Sequence, residues 1–353
     1  MREIVVILSD LYLAPDESTA ARPIDASDSL PSVSYLARFG RKSAIAGGWR
    51  AWLARWSGRD DLARVAPAAI AAASGVRALD RSGERSVGST WFATPVHLIA
   101  GLTSLHLDRR NILHLPEQDL ARLADEFIRV FGNSELYLEP TTYGVFLMRS
   151  RESIEASTTE PSRALVRDLQ DSLPTGRDAP VLRRLGAELE MWLHAHPINQ
   201  QRAARGEPPL STLWLWGGGV PEDLPVARAP SRSSDIGLGS DPYLTGLWHL
   251  AGSERLPLPE RFPNFSSHPN ADRMVLVLEA TPLLQANPNW TLFEVLADLD
   301  RRFIAPALAA LRAGDVSSVV LVANDVELRI ERYDHLKFWR RAPSSGLDAL
   351  HSG

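Results

Sequence analysis

The residues best equipped for chemistry stand in one stretch, His196-Pro197-Ile198-Asn199-Gln200-Gln201-Arg202, followed by Gly206 and then by Leu213-Trp214-Leu215-Trp216-Gly217-Gly218-Gly219. An imidazole, a carboxamide and a guanidinium fall within seven residues. If Pro197 opens a helix, Asn199 and Arg202 sit about one turn apart and face the same side. The guanidinium offers a planar fork for an anion. Three glycines at a strand end let a ligand or another backbone come close, and crevices in open α/β sheets lie beyond the carboxyl ends of strands. The expectation is that His196, Asn199 and Arg202 meet the Gly217 to Gly219 turn and, with Trp216, line a ligand crevice. The competing reading is a tight glycine turn that His196 and Arg202 merely brace.

Other candidates are single residues. Asp10 follows the first apolar run, and Asp325 follows the last one beside Asn324. Each suits a turn or cap as well as a ligand position. Ser9 has no base that the sequence assigns to it, which leaves a metal-independent hydrolase as a remote option. His97, His106 and His114 show no metal-ligand spacing and read as structural. Trp49, Trp52 and Trp56 fall at i, i+3 and i+7 among Arg50, Arg55 and Arg59, a stripe better suited to a core than to a partner surface. With no cysteine, thiolate catalysis, disulfides and cysteine-held metals are excluded.

The elements that must position these groups read as α/β. Short apolar runs at residues 4–8, 213–216, 274–278 and 319–322 suggest central strands of a largely parallel sheet with helices on both faces. Leu120, Leu123, Ala124, Phe127, Ile128 and Phe131 keep a strict helical period between Pro116 and Gly132. A second stripe runs from Val181 to Leu193, with Pro197 ending it or starting a new helix. A third spans about 292–311 and carries Pro306 inside, which predicts a kink. Tracts 150–180 and 220–242 have linker composition. The chain divides on this reading into a core, 1–87 and 181–353, and an inserted subdomain with its linker, 88–180.

The bulk numbers permit this. The 353 residues carry 38 basic and 43 acidic side chains, a net charge of −5, so no broad attraction to nucleic acid or a membrane surface is expected. The first apolar run is too short to span a bilayer and is followed by Asp10 rather than by a cleavage pattern, so the cytoplasm is the expected address.

The order HPxNxxR, glycine, LWLWGGG resembles the archaeal-type cofactor-independent phosphoglycerate mutases of the alkaline phosphatase superfamily. Leu30 to Gly40, residues 108–131 and Tyr243 to Gly252 are similar to further segments of that family in the same order. The chain also resembles a divergent bacterial branch described as regulatory proteins of the pathogenicity-factor-regulation E type. The resemblance implies an alkaline phosphatase-like core with a smaller α/β insert. It also implies two divalent metals, such as manganese or magnesium, held by Asp and His, and a Ser or Thr nucleophile. Asp10 matches the first metal aspartate, Asp325 the aspartate after the last strand, and His335 a final histidine. The nucleophile segment reads Val65-Ala66-Pro67-Ala68-Ala69-Ile70, with alanine in the hydroxyl position, and Pro282 and Ala286 replace two ligands.

The reading is therefore a catalytically degenerate relative with vestigial metal positions at Asp10, Asp325 and His335 and no cofactor. Its role would be regulatory, and its partner a small phosphorylated or carboxylated metabolite or a protein. Two rivals stand beside it. One is an active mutase or phosphatase whose ligands have moved to Asp235, Asp241, His249 or His268. The other is a structural interaction protein that docks through the tryptophan stripe.

Overall fold

The computed structural model describes residues 2–12, 30–73, 88–101, 105–132, 135–165, 168–219, 235–263, 265, 268, 271–323, 325–337 and 350. The chain forms two units, residues 1–63 with 227–353 and residues 64–226.

The first unit is built on a seven-stranded sheet. Its strands, numbered in chain order, are β1 (Glu3–Leu8), β2 (Arg41–Ala44), β9 (Asp235–Leu238), β10 (Glu254–Leu256), β11 (Arg273–Leu278), β12 (Ser318–Ala323) and β13 (Val326–Glu331). They lie in the order β10-β9-β11-β1-β12-β13-β2. The first five run parallel, and at one edge β13 runs against them while β2, paired antiparallel to β13, runs with them again. Ile4, Val6 and Leu8 pack on one face of β1, and Val5 and Ile7 on the other are fully buried too. Burial on both faces is why these strands read as unbroken apolar runs. The fold is thus mixed α/β with a large, mostly parallel sheet flanked by helices.

Pro306 disturbs its helix as its missing N–H requires. Helix Leu292–Leu299 passes through a π-turn at Asp300–Ile304 into helix Ala305–Ala313. The buried Asp300 carboxylate in that turn accepts from the amides of Ser32 and Val33 at the start of helix Pro31–Phe39.

The second unit holds the antiparallel order β6-β7-β3-β8, from β3 (Ser89–Val96), β6 (Leu136–Pro140), β7 (Phe146–Ser150) and β8 (Thr212–Gly219). A small ribbon pairs β4 (Ile99–Ala100) with β5 (Leu105–His106). Helices Glu117–Phe131 and Ala179–His194 follow the periodicity of their apolar stripes, which pack on the sheet beside Trp91, Phe146 and Leu213.

Several expectations change here. The division falls at 63/64 and 226/227, not at 87/88 and 180/181. The cause is β8: its apolar run pairs with β3 in the second sheet rather than joining the parallel one, and helix Ala179–His194 goes with it. Residues 150–180 are not a bare linker, since they hold helix Pro161–Ala164, a 3-10 turn at Leu169–Ser172 and the bridge Ser157 to Thr175. Of 220–242, residues 220–234 lie outside the described residues, and 235–238 form β9. Among the described residues no helix is long and apolar enough to cross a membrane.

The tryptophan stripe, on helix Gly48–Trp56, turns inward. Trp49 is buried edge-on against Tyr243, the Trp52 indole donates to Glu327, and Trp56 donates to Glu3. The interaction protein that docks through an exposed tryptophan face loses its supporting surface.

Glu3 anchors the amino edge of this sheet by accepting from Trp56 Nε1, Ser318 Oγ and Arg329 at 2.6 Å each. Burial pushes its carboxyl up, but the bonds from Ser318, Trp56 and Arg329 outweigh burial and hold it below its ordinary 4.5. A lowered carboxyl stabilises the fold above the unfolded-state value and loses that contribution as pH falls through the folded one. Glu3→Gln should therefore cost about 1–3 kcal/mol near neutrality, the price of three mismatched donors. The difference from wild type should shrink as pH falls below about 4. Urea midpoints for both proteins across that range test it, and a gap that does not change with pH would refute the assignment.

Candidate functional site

Asp10 leaves β1 and turns its carboxylate onto helix Ala280–Ala286. It accepts from the amides of Ala280 at 2.8 Å and Thr281 at 2.7 Å, one oxygen to each. A carboxylate at a helix start meets two free N–H groups and the positive end of the helix dipole. Asp325 sits at φ +62 in the tight turn between β12 and β13, where its carbonyl accepts from Ile45. Its neighbour Asn324 lies outside the described residues. His335 is exposed on the 3-10 turn Asp334–Leu336, with Nδ1 2.9 Å from the Arg332 carbonyl.

The aspartates among the alternative ligands are also engaged. Asp235 pairs with Arg273 through both oxygens, and Asp241 caps helix Pro242–Ala251 while lying 3.6 Å from Arg50. His249 is exposed on the same helix. Among the described residues, no three His, Asp or Glu side chains gather so as to hold a metal ion. The donor groups among the described residues do not by themselves fit a paired-metal centre. The nucleophile position fits no better: Ala68, on helix Pro67–Ala72, is fully buried among Ala71, Phe92, Leu147 and Trp216.

The HPxNxxR motif does form a cluster, but not with the glycines. His196 caps helix Pro197–Ala204, its Nδ1 accepting from the Ile198 amide at 3.1 Å while Nε2 lies 2.5 Å from Glu126. Asn199 donates to the carbonyls of Leu193 and Leu210 and accepts from the Leu210 amide. Buried Arg202 donates from Nε to the Pro208 carbonyl at 2.7 Å and pairs with Glu207 at 3.1 Å. These partners precede β8, whereas Gly217 lies seven residues beyond Leu210, about 23 Å along an extended chain. The expected meeting of His196, Asn199 and Arg202 with Gly217 to Gly219 does not occur.

The glycines make a bulge inside β8, not a turn after it. Phe92 faces Trp216 and Thr90 faces Gly219, so β8 carries one extra residue there. Gly217 takes φ +63, and a Cβ on Gly218 would stand 2.2 Å from the Thr90 carbonyl oxygen. Trp216 stacks on Phe92 at 4.6 Å and donates to Thr94 Oγ1, and the Gly217 amide donates to Thr158. Each feature is accounted for by packing.

One histidine that reads as structural in the sequence lies beside the motif. His97, just past β3, places Nδ1 3.2 Å from Ser211 Oγ, and the same hydroxyl accepts from the Leu98 amide at 3.0 Å. Burial pushes the imidazole below its ordinary 6.5. The Arg202 charge adds to that shift, and a bond to the Pro209 backbone partly offsets it. His97 and Ser211 are 114 residues apart. They meet because Val96 pairs with Thr212 across β3 and β8, a register that no local pattern reveals.

No family model matches the chain. It is 25% identical over 153 residues to the 2,3-bisphosphoglycerate-independent phosphoglycerate mutase of Methanothrix thermoacetophila, covering 43% of this chain and 38% of that protein. It is 21% identical over 228 residues to the enzyme of the same name from Methanosarcina barkeri, covering 60% and 57%. The chain thus spans less than two thirds of these relatives' length, 38% and 57%, and is a weak homologue of archaeal-type enzymes of this kind. Among solved structures, the PH0037 protein from Pyrococcus horikoshii aligns with 92% of this chain and 82% of its own at TM-score 0.48 and 14% identity. The cofactor-independent phosphoglycerate mutase from Thermoplasma acidophilum aligns with 94% and 90% at TM-score 0.39 and 16% identity. The fold described above is read from the chain's own sheet topology.

Asn199 is the strut on which the approach to β8 hangs. Asn199→Ala would strand two carbonyls and one amide, at about 2–3 kcal/mol and a melting temperature lower by several degrees. Calorimetry checks this, and a loss below about 0.5 kcal/mol, the usual effect of a plain surface substitution, would show that the strut bears no weight.

Proposed function

We propose that the protein is a catalytically degenerate phosphoglycerate mutase-like protein with a regulatory or binding role. Its ligand would be a small phosphorylated or carboxylated metabolite or a protein partner. The observation that carries this reading is the use of Asp10: both carboxylate oxygens cap helix Ala280–Ala286. Ala68 in the nucleophile position supports it independently, because a methyl group accepts no phosphoryl group. The resemblance to the divergent regulatory branch points the same way. On this reading the chain takes no metal cofactor, and no phosphoryl transfer is derived for it.

The decisive experiment is a coupled mutase assay with manganese and with magnesium. No turnover above the no-enzyme rate is expected with either ion. Chelator-sensitive turnover would instead establish the active enzyme with relocated ligands. A parallel melting series with 3-phosphoglycerate separates the two kinds of ligand. Stabilisation that grows with concentration, as expected for binding to the folded state, supports a metabolite. No shift leaves the protein partner.

A further inference from the structure

A cleft of about 860 Å³ opens at the amino edge of the parallel sheet, the end opposite Asp10, and every residue that lines it belongs to the first unit. Its floor is already settled. Glu3 on β1 accepts from Trp56, Ser318 and Arg329, so both carboxylate oxygens are engaged. Arg273 is taken up by Asp235 and by the Trp56 carbonyl. The walls are the turn that follows helix Ala305–Ala313 and the end of β13 where it runs into Tyr333.

The charges on those walls are unspent. Among the described residues the Arg332 side chain makes no hydrogen bond or ion pair. Its guanidinium lies over Gly314, where a Cβ would stand 2.7 Å from Nη2, and beside the Tyr333 ring at 5.8 Å. Arg329 uses Nε on Glu327 and Nη1 on Glu3, which leaves Nη2. Asp315 and Glu331 are exposed, and among the described residues neither carboxylate meets a cation. A plain anion in the cleft would be repelled by the two carboxylates, and a plain cation by the two guanidinium groups. A ligand that carries both signs satisfies both. Arg329 and Glu331 lie on the same face of β13, two residues and so about 6.6 Å apart. An α-amino acid holds its carboxylate and ammonium on one carbon, and a charge-assisted bond of about 2.8 Å at each end brings its span to the same order.

We propose that this cleft binds a free α-amino acid with an aromatic side chain, at a site separate from the Asp10 end of the sheet. The ligand carboxylate sits between Arg332 and Arg329 Nη2, and its ammonium meets Glu331 with Asp315 across the cleft. The aromatic ring packs on Tyr333, which is 68% exposed, edge-on or offset as such pairs prefer. Gly314 closes helix Ala305–Ala313 at φ +86 and leaves the room that the Arg332 guanidinium fills. The volume lies within the range of small-molecule sites. The proposal does not rest on the reading of Asp10 and holds for an active or a degenerate relative alike.

The test titrates L-phenylalanine into the full chain and reads the melting temperature together with tryptophan fluorescence, since Trp56 lines the cleft. Two solvent-exposed ion pairs and one ring contact predict saturable binding with a dissociation constant of ~1 mM. Phenylpropionate lacks the ammonium and phenethylamine lacks the carboxylate, so each should bind at least about tenfold more weakly. Arg332→Gln and Glu331→Gln should each weaken phenylalanine by about tenfold or more. Both side chains are exposed, so the melting temperature without ligand should stay nearly unchanged in either variant. No saturable binding up to about twenty times the expected constant overturns the proposal. Phenylpropionate binding as tightly as phenylalanine would mark a plain anion site and overturn it too, as would an affinity unchanged in Arg332→Gln. Any of these results leaves the mutase assay and its reading untouched, because that assay reports on the other end of the sheet.

Discussion

Every backbone N–H and C=O taken out of water must find a partner, because an orphaned one costs about 1–3 kcal/mol. In this protein the side chains that look most chemical meet that requirement at element ends. Asp10 serves helix Ala280–Ala286, Asp300 serves helix Pro31–Phe39, and Asp241 serves helix Pro242–Ala251. His196 caps its own helix, and Asn199 and Arg202 satisfy a stretch of loop backbone that has no strand neighbour there. Carboxylate, imidazole and guanidinium are chosen here for hydrogen-bond geometry as much as for charge. A search for catalytic residues by type therefore returns mostly caps.

The same constraint shapes the second sheet. A strand with one residue too many must bulge, and the extra residue goes where a left-handed backbone costs nothing. Gly217 supplies that conformation, and Gly218 lets the Thr90 carbonyl come within a distance that any side chain would block. The bulge in turn lets Trp216 lie flat on Phe92 above the buried Ala68. Three glycines that look like a ligand cradle are thus the means by which two aromatic rings and a helix of alanines share one face.

Much of the architecture was legible in the sequence, for identifiable reasons. The runs at 4–8, 274–278 and 319–322 are buried on both faces, and the stripes at 120–131 and 181–193 keep the helical period, so pattern and burial agree. The run at 213–216 misled because its strand is also covered on both sides, by the Leu213 and Leu215 cluster on one face and the Trp216 cluster on the other, yet within an antiparallel sheet. Periodicity reports burial, not strand direction, and the misplaced boundaries follow from that one strand. At the site, the motif was legible as a cluster but not its partners. Its partners are mostly backbone groups, of Leu193, Pro208 and Leu210, which carry no side-chain signature, and the carboxylates of Glu126 and Glu207 have no spacing that marks them as partners. His97 reads as structural in the sequence and Ser211 has no signature there, because only the β3 to β8 register brings them together.

The proposed reading makes Asp10 a metal-type aspartate that persists without a metal, and its position gives that a physical basis. On the proposed reading the family's first metal aspartate keeps its place at the end of β1 while the other ligands are lost. Two amides and the partial positive charge at the start of helix Ala280–Ala286 hold its carboxylate where, on that reading, an ion would. The proline and alanine that stand where ligands would be, Pro282 and Ala286, both lie on that helix. Proline is well tolerated in a first turn, where its missing N–H costs nothing, and alanine is the best helix former. On that reading, the substitutions that remove donors are also the ones that build the helix bound by Asp10. Loss of the remaining ligands and retention of Asp10 are then one structural change, with the helix dipole as the link between them.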